Sequence, residues 1–394
     1  MKTFQLSNRS EKTALKQPKE LFSYSRNNDA TWNVDEEVSK KEALSYFYFP
    51  DSEVAQQYDL TRGFDSFNQI PELLNVAHFP SYLQAIQNHE QSQGKKVKAD
   101  IITFRGIMTK LFCLPFARSE PLELFALVYD KQIFIKNDDE HALKLREKKE
   151  AEMPPDQRER SRKFEYAGYK FETLTTIPRP WAECTRQEID GRKNKAVSNY
   201  EQYISVVTTG IGKVKTLLAG EVDCLWDYIP EEGESVLPHY VELKTTSEVT
   251  STAQVGSFER KLFKTWAQCF LLGIKRIVYG FRSVDLKLEG VEVYDTEEIP
   301  IFLKESNIER KGKDRLSCVD ALKWYGAVLE WLVENINVHN DRTAYRISYS
   351  PYSGKIRLGQ CSKKEHEVVI NGGILTEEFK QWRTSLKECR KALE

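Results

Sequence analysis

Glu221-Val222-Asp223 is followed, after eighteen intervening residues, by Glu242-Leu243-Lys244. Each triplet sets two charged side chains two positions apart. On a β-strand that spacing turns both to one face, with Val222 and Leu243 on the other. Read as paired strands, the two segments would bring three carboxylates and one ammonium into a small volume. Like charges held together cost free energy until something neutralises them. A hard divalent cation with oxygen ligands does so, and a lysine beside such an ion suits chemistry at phosphate. Taken singly, E-x-D or E-x-K is more often the wet face of an amphipathic strand. In order, on adjacent strand candidates, the pair is far less ordinary.

Further candidates surround this pair. In Gly168-Tyr169-Lys170-Phe171-Glu172, a period of two puts Lys170 and Glu172 on one face and adds a fourth carboxylate. Residues 257–272 predict a helix with an apolar stripe through Phe258, Leu262, Trp266 and Cys269. Lys261, Lys264 and Gln268 run beside that stripe at helical spacing and could lie over the carboxylates. Arg105, against Gly106, can offer a phosphate two donors at once. Lys170, Lys213, Lys215, Lys264, Lys275 and Arg276 are candidate walls of a local basic groove, although each alone is more readily a solvated surface residue. The six histidines show no ligand spacing, and no G-x-x-x-x-G-K-[ST] loop is present.

The elements that must position these residues read as follows. Residues 214–227 and 239–246 are the two motif strands. The helix at 257–272 ends at Gly273, and 277–282 is a further strand. Residues 101–105 form a strand, and 122–135 a hairpin turning at Asp130-Lys131. Residues 164–174 read as a strand, 185–208 as a helix with Tyr200, Tyr203, Ile204 and Val207 on one stripe, and 88–99 as an exposed connection. Tyr46 to Phe49 is a short strand, Lys144 to Glu152 a solvated helix, and 319–337 a long apolar-striped helix. Strands and helices mix without strict alternation, which predicts an α+β fold. No linker divides the chain, so residues 1–394 read as a single large catalytic domain. Residues 1–40 read as an extended or partly flexible arm.

Composition narrows the class. Among 394 residues the formal net charge is −1, so a nucleic-acid site must be a local basic surface in a neutral protein. The seven cysteines are an odd number, widely spaced and without C-x-x-C. That pattern fits a reducing compartment rather than a disulfide framework or zinc site. No apolar run approaches a membrane span, and Met1-Lys2-Thr3-Phe4-Gln5 lacks the apolar core of a signal peptide. An intracellular protein with no membrane partner is expected.

Together these segments resemble the DXO/RAI family of RNA 5′-end decapping and quality-control enzymes. The resemblance covers most of residues 100–285. It rests on Arg105, Gly168 to Glu172, Gly220-Glu221-Val222-Asp223, Glu242-Leu243-Lys244, and Gln268 in Trp266-Ala267-Gln268. Asp223 followed by Glu242-x-Lys244 also resembles the wider PD-(D/E)xK nuclease group. The resemblance implies two mixed β-sheets packed together with flanking helices and a deep acidic pocket between them. It implies one or two Mg²⁺ or Mn²⁺ ions, bound by Asp223, Glu242 and the Leu243 carbonyl, with Glu172 and Glu221 binding directly or through water. Lys244 and Gln268 would position the attacking water and contact the scissile group, and Arg105 would hold a neighbouring phosphate. Implied substrates are RNA 5′ ends bearing a triphosphate, an unmethylated cap or an NAD cap. The RAI branch, similar in length and in Gly280-Phe281-Arg282, binds and stabilises a nuclear 5′→3′ exoribonuclease, which implies the nucleus. Other readings are a DXO-type decapping exoribonuclease without that partner, a non-catalytic exoribonuclease cofactor, and a DNA nuclease.

Overall fold

The computed structural model describes residues 1–75, 78–231, 233–306, 308 and 315–393. Ten strands form one mixed sheet. Its order is Lys2–Gln5, Lys355–Gln360, Ala344–Tyr349, Leu122–Tyr129, Gln132–Asn137, Ile101–Phe104, Val214–Val222, Gln202–Ile211, Leu15–Arg26 and Trp32–Asn33. Six strands form a second mixed sheet, in the order Leu288–Asp295, Arg276–Arg282, Tyr240–Ser247, Cys224–Leu225, Tyr46–Phe47 and Thr176–Ile177. Helices flank both, so the expected pair of mixed sheets with surrounding helices is what the chain builds.

The central strand Val214–Val222 shows why the large sheet is covered on both sides. Val214, Leu218 and Val222 belong to the core that includes Leu262 and Trp266 of helix Thr252–Leu272, Met108 of helix Arg105–Cys113 and Trp324 of helix Cys318–Asn335. Leu217 and Ala219, one residue out of phase, belong to the opposite core with Tyr82 and Ile86 of helix Phe79–Gln93. Each such fully buried Leu or Val contributes roughly 1.5–3 kcal/mol relative to exposure. A third core joins Leu243 and Val278 of the small sheet to Ala167 and Phe171 of helix Pro155–Leu174.

Four expectations need correction. Residues 1–40, expected as an extended or partly flexible arm, are extended over two strands but are built into the large sheet. Lys2–Gln5 pairs with Lys355–Gln360 at one edge of the large sheet, and Leu15–Arg26 lies along Gln202–Ile211 with Phe22 and Tyr24 buried. Gly168 to Glu172 is not a strand but the last turns of the twenty-residue helix Pro155–Leu174. Tyr166, Ala167, Lys170, Phe171 and Leu174 are its buried residues, a helical spacing that five residues read in isolation mimic as alternation. Residues 202–208 are strand rather than helix. Gln202–Ile211 is buried on both faces, so it lacks the alternation that marks a half-exposed strand. Residues 88–93 complete helix Phe79–Gln93, which Gly94 ends in a left-handed conformation at φ 61°.

Candidate active site

Asp223 is the single residue between strand Val214–Val222 of the large sheet and strand Cys224–Leu225 of the small one. The chain crosses from one sheet to the other through it. Glu221 therefore stays in the large sheet, opposite Ile204. Cys224 pairs with Val241, which brings Asp223 beside Glu242 and Lys244. The two triplets converge as expected, by handing the chain between sheets rather than by a long shared ladder. Asp227, in phase with Glu221 and Asp223, lies outside the cluster and meets His239 Nδ1 at 2.7 Å.

Glu242 is the centre of the arrangement and is 1% exposed. Arg105 Nη1 donates to Glu242 Oε2 at 3.1 Å, Gln268 Nε2 donates to Oε1, and Lys244 Nζ pairs with that same oxygen. Lys244 Nζ also donates to the Leu243 carbonyl at 3.1 Å and lies 3.7 Å from Asp223 Oδ2. The Leu243 amide donates to Asp223 Oδ2 at 2.6 Å. Gly220 lets Arg105 approach, since a Cβ there would lie 2.5 Å from Leu272 Cδ1 and 3.0 Å from Arg105 Cβ. Glu172 reaches the cluster from the last turn of its helix, where its main-chain carbonyl accepts from Thr176 Oγ1 at 2.7 Å. A cleft of about 720 Å³ opens onto Glu172, Glu221 and Asp223, with Tyr169 and Tyr203 beside them.

Charge in this cluster is out of balance. Burial, then the neighbouring Asp223 and Glu221, push Glu172 well above the usual carboxylate range. Burial and Glu242 raise Asp223 to about 7. Glu221 is raised as well, first by burial. Burial also works against the charged form of Glu242, but Lys244 and Arg105 outweigh it and hold that carboxylate below its ordinary value. The same acids raise Lys244 despite its burial. Burial and mutual repulsion thus favour the protonated form of Glu172, Glu221 and Asp223, while Lys244 and Arg105 keep Glu242 ionised.

Among the described residues, no three His, Cys, Asp or Glu side chains are drawn up as ligands of one ion. The ammonium of Lys244 occupies the space between Glu242, Asp223 and the Leu243 carbonyl. The donor chemistry nevertheless fits a hard divalent cation. The side-chain donors of Glu172, Glu221, Asp223 and Glu242 and the Leu243 carbonyl are all oxygen, and a bound cation would favour the ionised form of the acids that burial and crowding now disfavour.

Of the helix residues expected beside the acids, Gln268 touches Glu242, whereas Lys261 donates to Thr246 Oγ1 at 3.1 Å and Lys264 pairs with Glu120 at 3.3 Å. The expected groove lysines do not form one wall. Lys170 is buried and donates to the Lys193 carbonyl, and Lys275 pairs with Asp295. Lys213 and Lys215 lie at the end of the Val214–Val222 strand far from Glu221. Sequence reasoning missed Asn28, Asn68 and Ser198, which also line the cleft. These are loop amides and hydroxyls with no periodicity to reveal them. It also missed Ser45, whose hydroxyl donates to the Asp223 carbonyl at 3.3 Å.

Two mixed sheets meeting at an aspartate, with a Glu-x-Lys strand beside it, define a PD-(D/E)xK nuclease. The chain belongs to a particular family of that class: residues 16–380 match the model described as RAI1 like PD-(D/E)XK nuclease. It is 51% identical over 387 residues to the decapping nuclease RAI1 of Debaryomyces hansenii, covering 98% of each chain. The crystal structure of Candida albicans Rai1 in complex with pU5-Mn²⁺ superposes with a TM-score of 0.94 at 45% identity, covering 98% of this chain and 99% of that one. Scheffersomyces stipitis Rai1, in complex with (3′-NADP)⁺ and calcium ion, superposes at 0.91 with 47% identity, covering 98% and 100%. Membership makes the chain a hydrolase of the decapping-nuclease type, and these neighbours support use of a divalent metal. No helix among the described residues is long and apolar enough to cross a membrane.

Proposed function

We propose that the chain hydrolyses phosphoanhydride or phosphodiester bonds at defective RNA 5′ ends. The reactions are pyrophosphate release from 5′-triphosphate RNA and removal of unmethylated or NAD caps. The observation that carries this reading is the convergence of Glu172, Glu221, Asp223 and Glu242 around Lys244, with Glu172, Glu221 and Asp223 lining a cleft. The pU5-Mn²⁺ held by the Candida albicans relative supports it.

Mg²⁺ or Mn²⁺, one ion or two, supplies charge neutralisation at the phosphate and a more acidic water when bound. Asp223, Glu242 and the Leu243 carbonyl would hold it directly, and Glu172 and Glu221 directly or through water. Lys244 and Gln268 would orient the attacking water and contact the scissile group. Arg105 would hold a neighbouring phosphate, and its Nε is a buried donor with no partner. The protein is also proposed to bind and stabilise a nuclear 5′→3′ exoribonuclease, which places it in the nucleus.

The test is incubation with RNAs that differ only at the 5′ end, followed by identification of the released nucleotide. Pyrophosphate, GpppN or NAD is expected, and each points to its own activity. An Asp223→Ala protein that kept full metal-dependent hydrolysis would refute the site. Copurification with an exoribonuclease, retained in Asp223→Ala, would separate the partner role from catalysis.

A further inference from the structure

Lys261, Arg282 and Arg160 carry positive charge that the site above does not use. Arg282 closes the Gly280-Phe281-Arg282 segment at the end of strand Arg276–Arg282. Register with Leu288–Asp295 slips between Phe281 and Arg282. In the parallel ladder Arg282 stands opposite Ser247, three residues beyond Lys244. It is 8% exposed, and its Nε has no hydrogen-bond partner. Its guanidinium lies 4.5 Å from the centre of the Phe164 ring, and that of Arg160 lies 5.3 Å from the same ring. Lys261 donates to Thr246, the residue before Ser247.

Among the described residues none of the three cations is ion-paired, and Glu159, beside Arg160 in sequence, is taken by Lys163 at 2.6 Å. Asp156 and Asp285 line the adjoining hollow with Arg160 and Phe164 without pairing to it. Burial disfavours the charged form of Arg282, and Arg160 adds repulsion. Burial and Arg282 act the same way on Lys261. Packing an aromatic ring against guanidinium fixes its plane without cancelling its charge, and leaves the N–H edge open to an oxyanion.

We propose that Arg282, with Arg160 and Lys261, is an anion subsite that takes a phosphodiester of the RNA downstream of the reacting 5′ end. The proposal rests on the RNA reading above. Three residues of strand separate Lys244 from Ser247, about 10 Å at the usual rise. Thr246, which Lys261 touches, is in phase with Glu242 and Lys244, whereas Ser247 and Arg282 are one residue out of phase, on the face of Leu243 and Phe164, so the cations gather at the end of this ladder rather than over the acids. Arginine suits the role because its forked donors can take two phosphate oxygens together.

The experiment measures affinity for a 5′-phosphorylated uridine dinucleotide and octanucleotide at several salt concentrations. The proteins are wild type, Arg282→Gln, Lys261→Gln and Arg160→Gln. Each substitution is expected to weaken octanucleotide binding about threefold to tenfold more than dinucleotide binding. The slope of log affinity against log salt should fall in magnitude by about 0.7 for each phosphate that the variant no longer holds. Lys261 and Arg160 lie at the surface, so their variants carry the test if Arg282→Gln melts early. Variants that bind both lengths as wild type does would overturn the subsite. A charge-matched acidic peptide that displaces the octanucleotide from wild type but binds none of the variants would reassign the site to a protein partner. Wild-type protein that neither binds nor cuts either RNA would sink the RNA reading itself.

Discussion

Asp223 Oδ2 accepts the main-chain amide of Leu243 at 2.6 Å, and Lys244 Nζ stands 3.7 Å from the same oxygen. One carboxylate oxygen thus pins the crossing between the two sheets to the strand that bears Glu242 and Lys244. The acids cannot drift apart to relieve their repulsion without breaking that bond and unpairing Cys224 from Val241. The cluster is held in a costly arrangement by the sheets around it.

Asp223→Asn keeps an acceptor for the Leu243 amide and removes one negative charge. Burial and Glu242 already hold the native carboxyl at about 7, so the neutral side chain suits the ion-free protein at least as well. The metal-free variant is expected to melt no lower than wild type, while hydrolysis falls by at least about a hundredfold, roughly 2.7 kcal/mol in the barrier. Thermal melting and single-turnover assays on one preparation check both halves. A variant that loses stability in proportion to activity would show that Asp223 is structural.

Adding a divalent ion should stabilise the native protein, because the folded state alone presents the oxygen cluster. At a concentration about a hundred times the dissociation constant the gain is about 2.7 kcal/mol. Calcium is the cleanest probe, since it takes the same oxygen ligands. Melting curves in chelator and in calcium are compared for wild type and Glu242→Gln. The upward shift should be present in the first and largely lost in the second. Equal shifts would place the ion elsewhere.

Legibility in the sequence followed the range of the interactions. Asp223, Glu242 and Lys244 could be read because their spacing sits within single strands, and Gln268 because a helix carries its stripe on one face. Glu172 stands near Asp223 from a helix end and not from the strand that its spacing suggests, because five residues of a buried helix turn look like alternation. The expected helix over 185–208 gives way to strand from Gln202 for the converse reason, since a strand buried on both faces loses its period. The place of Leu15–Arg26 inside the large sheet is set by pairing with a strand nearly two hundred residues away. Nothing local in its polar composition announces that. Asn28, Asn68 and Ser198 are brought to the cleft by loops, where no pattern precedes the fold.

Glu20 supplies a pH dependence away from the acidic cluster. It accepts hydrogen bonds from Ser205 Oγ and from Tyr240 Oη, the latter at 2.8 Å. Burial raises it from an ordinary value of 4.5 to about 7, against the opposing pull of those two hydroxyls. The folded state therefore holds this proton more tightly than the unfolded chain. Its contribution to stability is complete below about pH 4.5 and is lost as pH rises through about 7. Glu20→Gln should remove that loss, leaving the variant about 1–3 kcal/mol more stable than wild type at pH 8 and close to it at pH 5. Urea denaturation at the two pH values measures the difference. A constant gap between the proteins would show that Glu20 does not titrate in this range.

Gly280 links the Gly-Phe-Arg segment to the acidic turn of the helix. A Cβ at that position would stand 2.6 Å from Phe171 Cε2 and 2.8 Å from Cδ2. Phe171 is fully buried, so the ring cannot swing into solvent. Either the ring or the helix end must move, and Glu172 is the next residue along. Gly280→Ala is expected to cost about 1–3 kcal/mol of stability by overpacking. It should also lower hydrolysis per folded molecule, since displacement of about 1 Å at a reacting group can cost a hundredfold. Phe171→Leu in the same chain makes room for the methyl, so the double variant should recover more activity than the single changes predict by addition. Denaturation and turnover on all three proteins decide it. Additive losses would mean that the glycine acts on the strand alone and not through the position of Glu172.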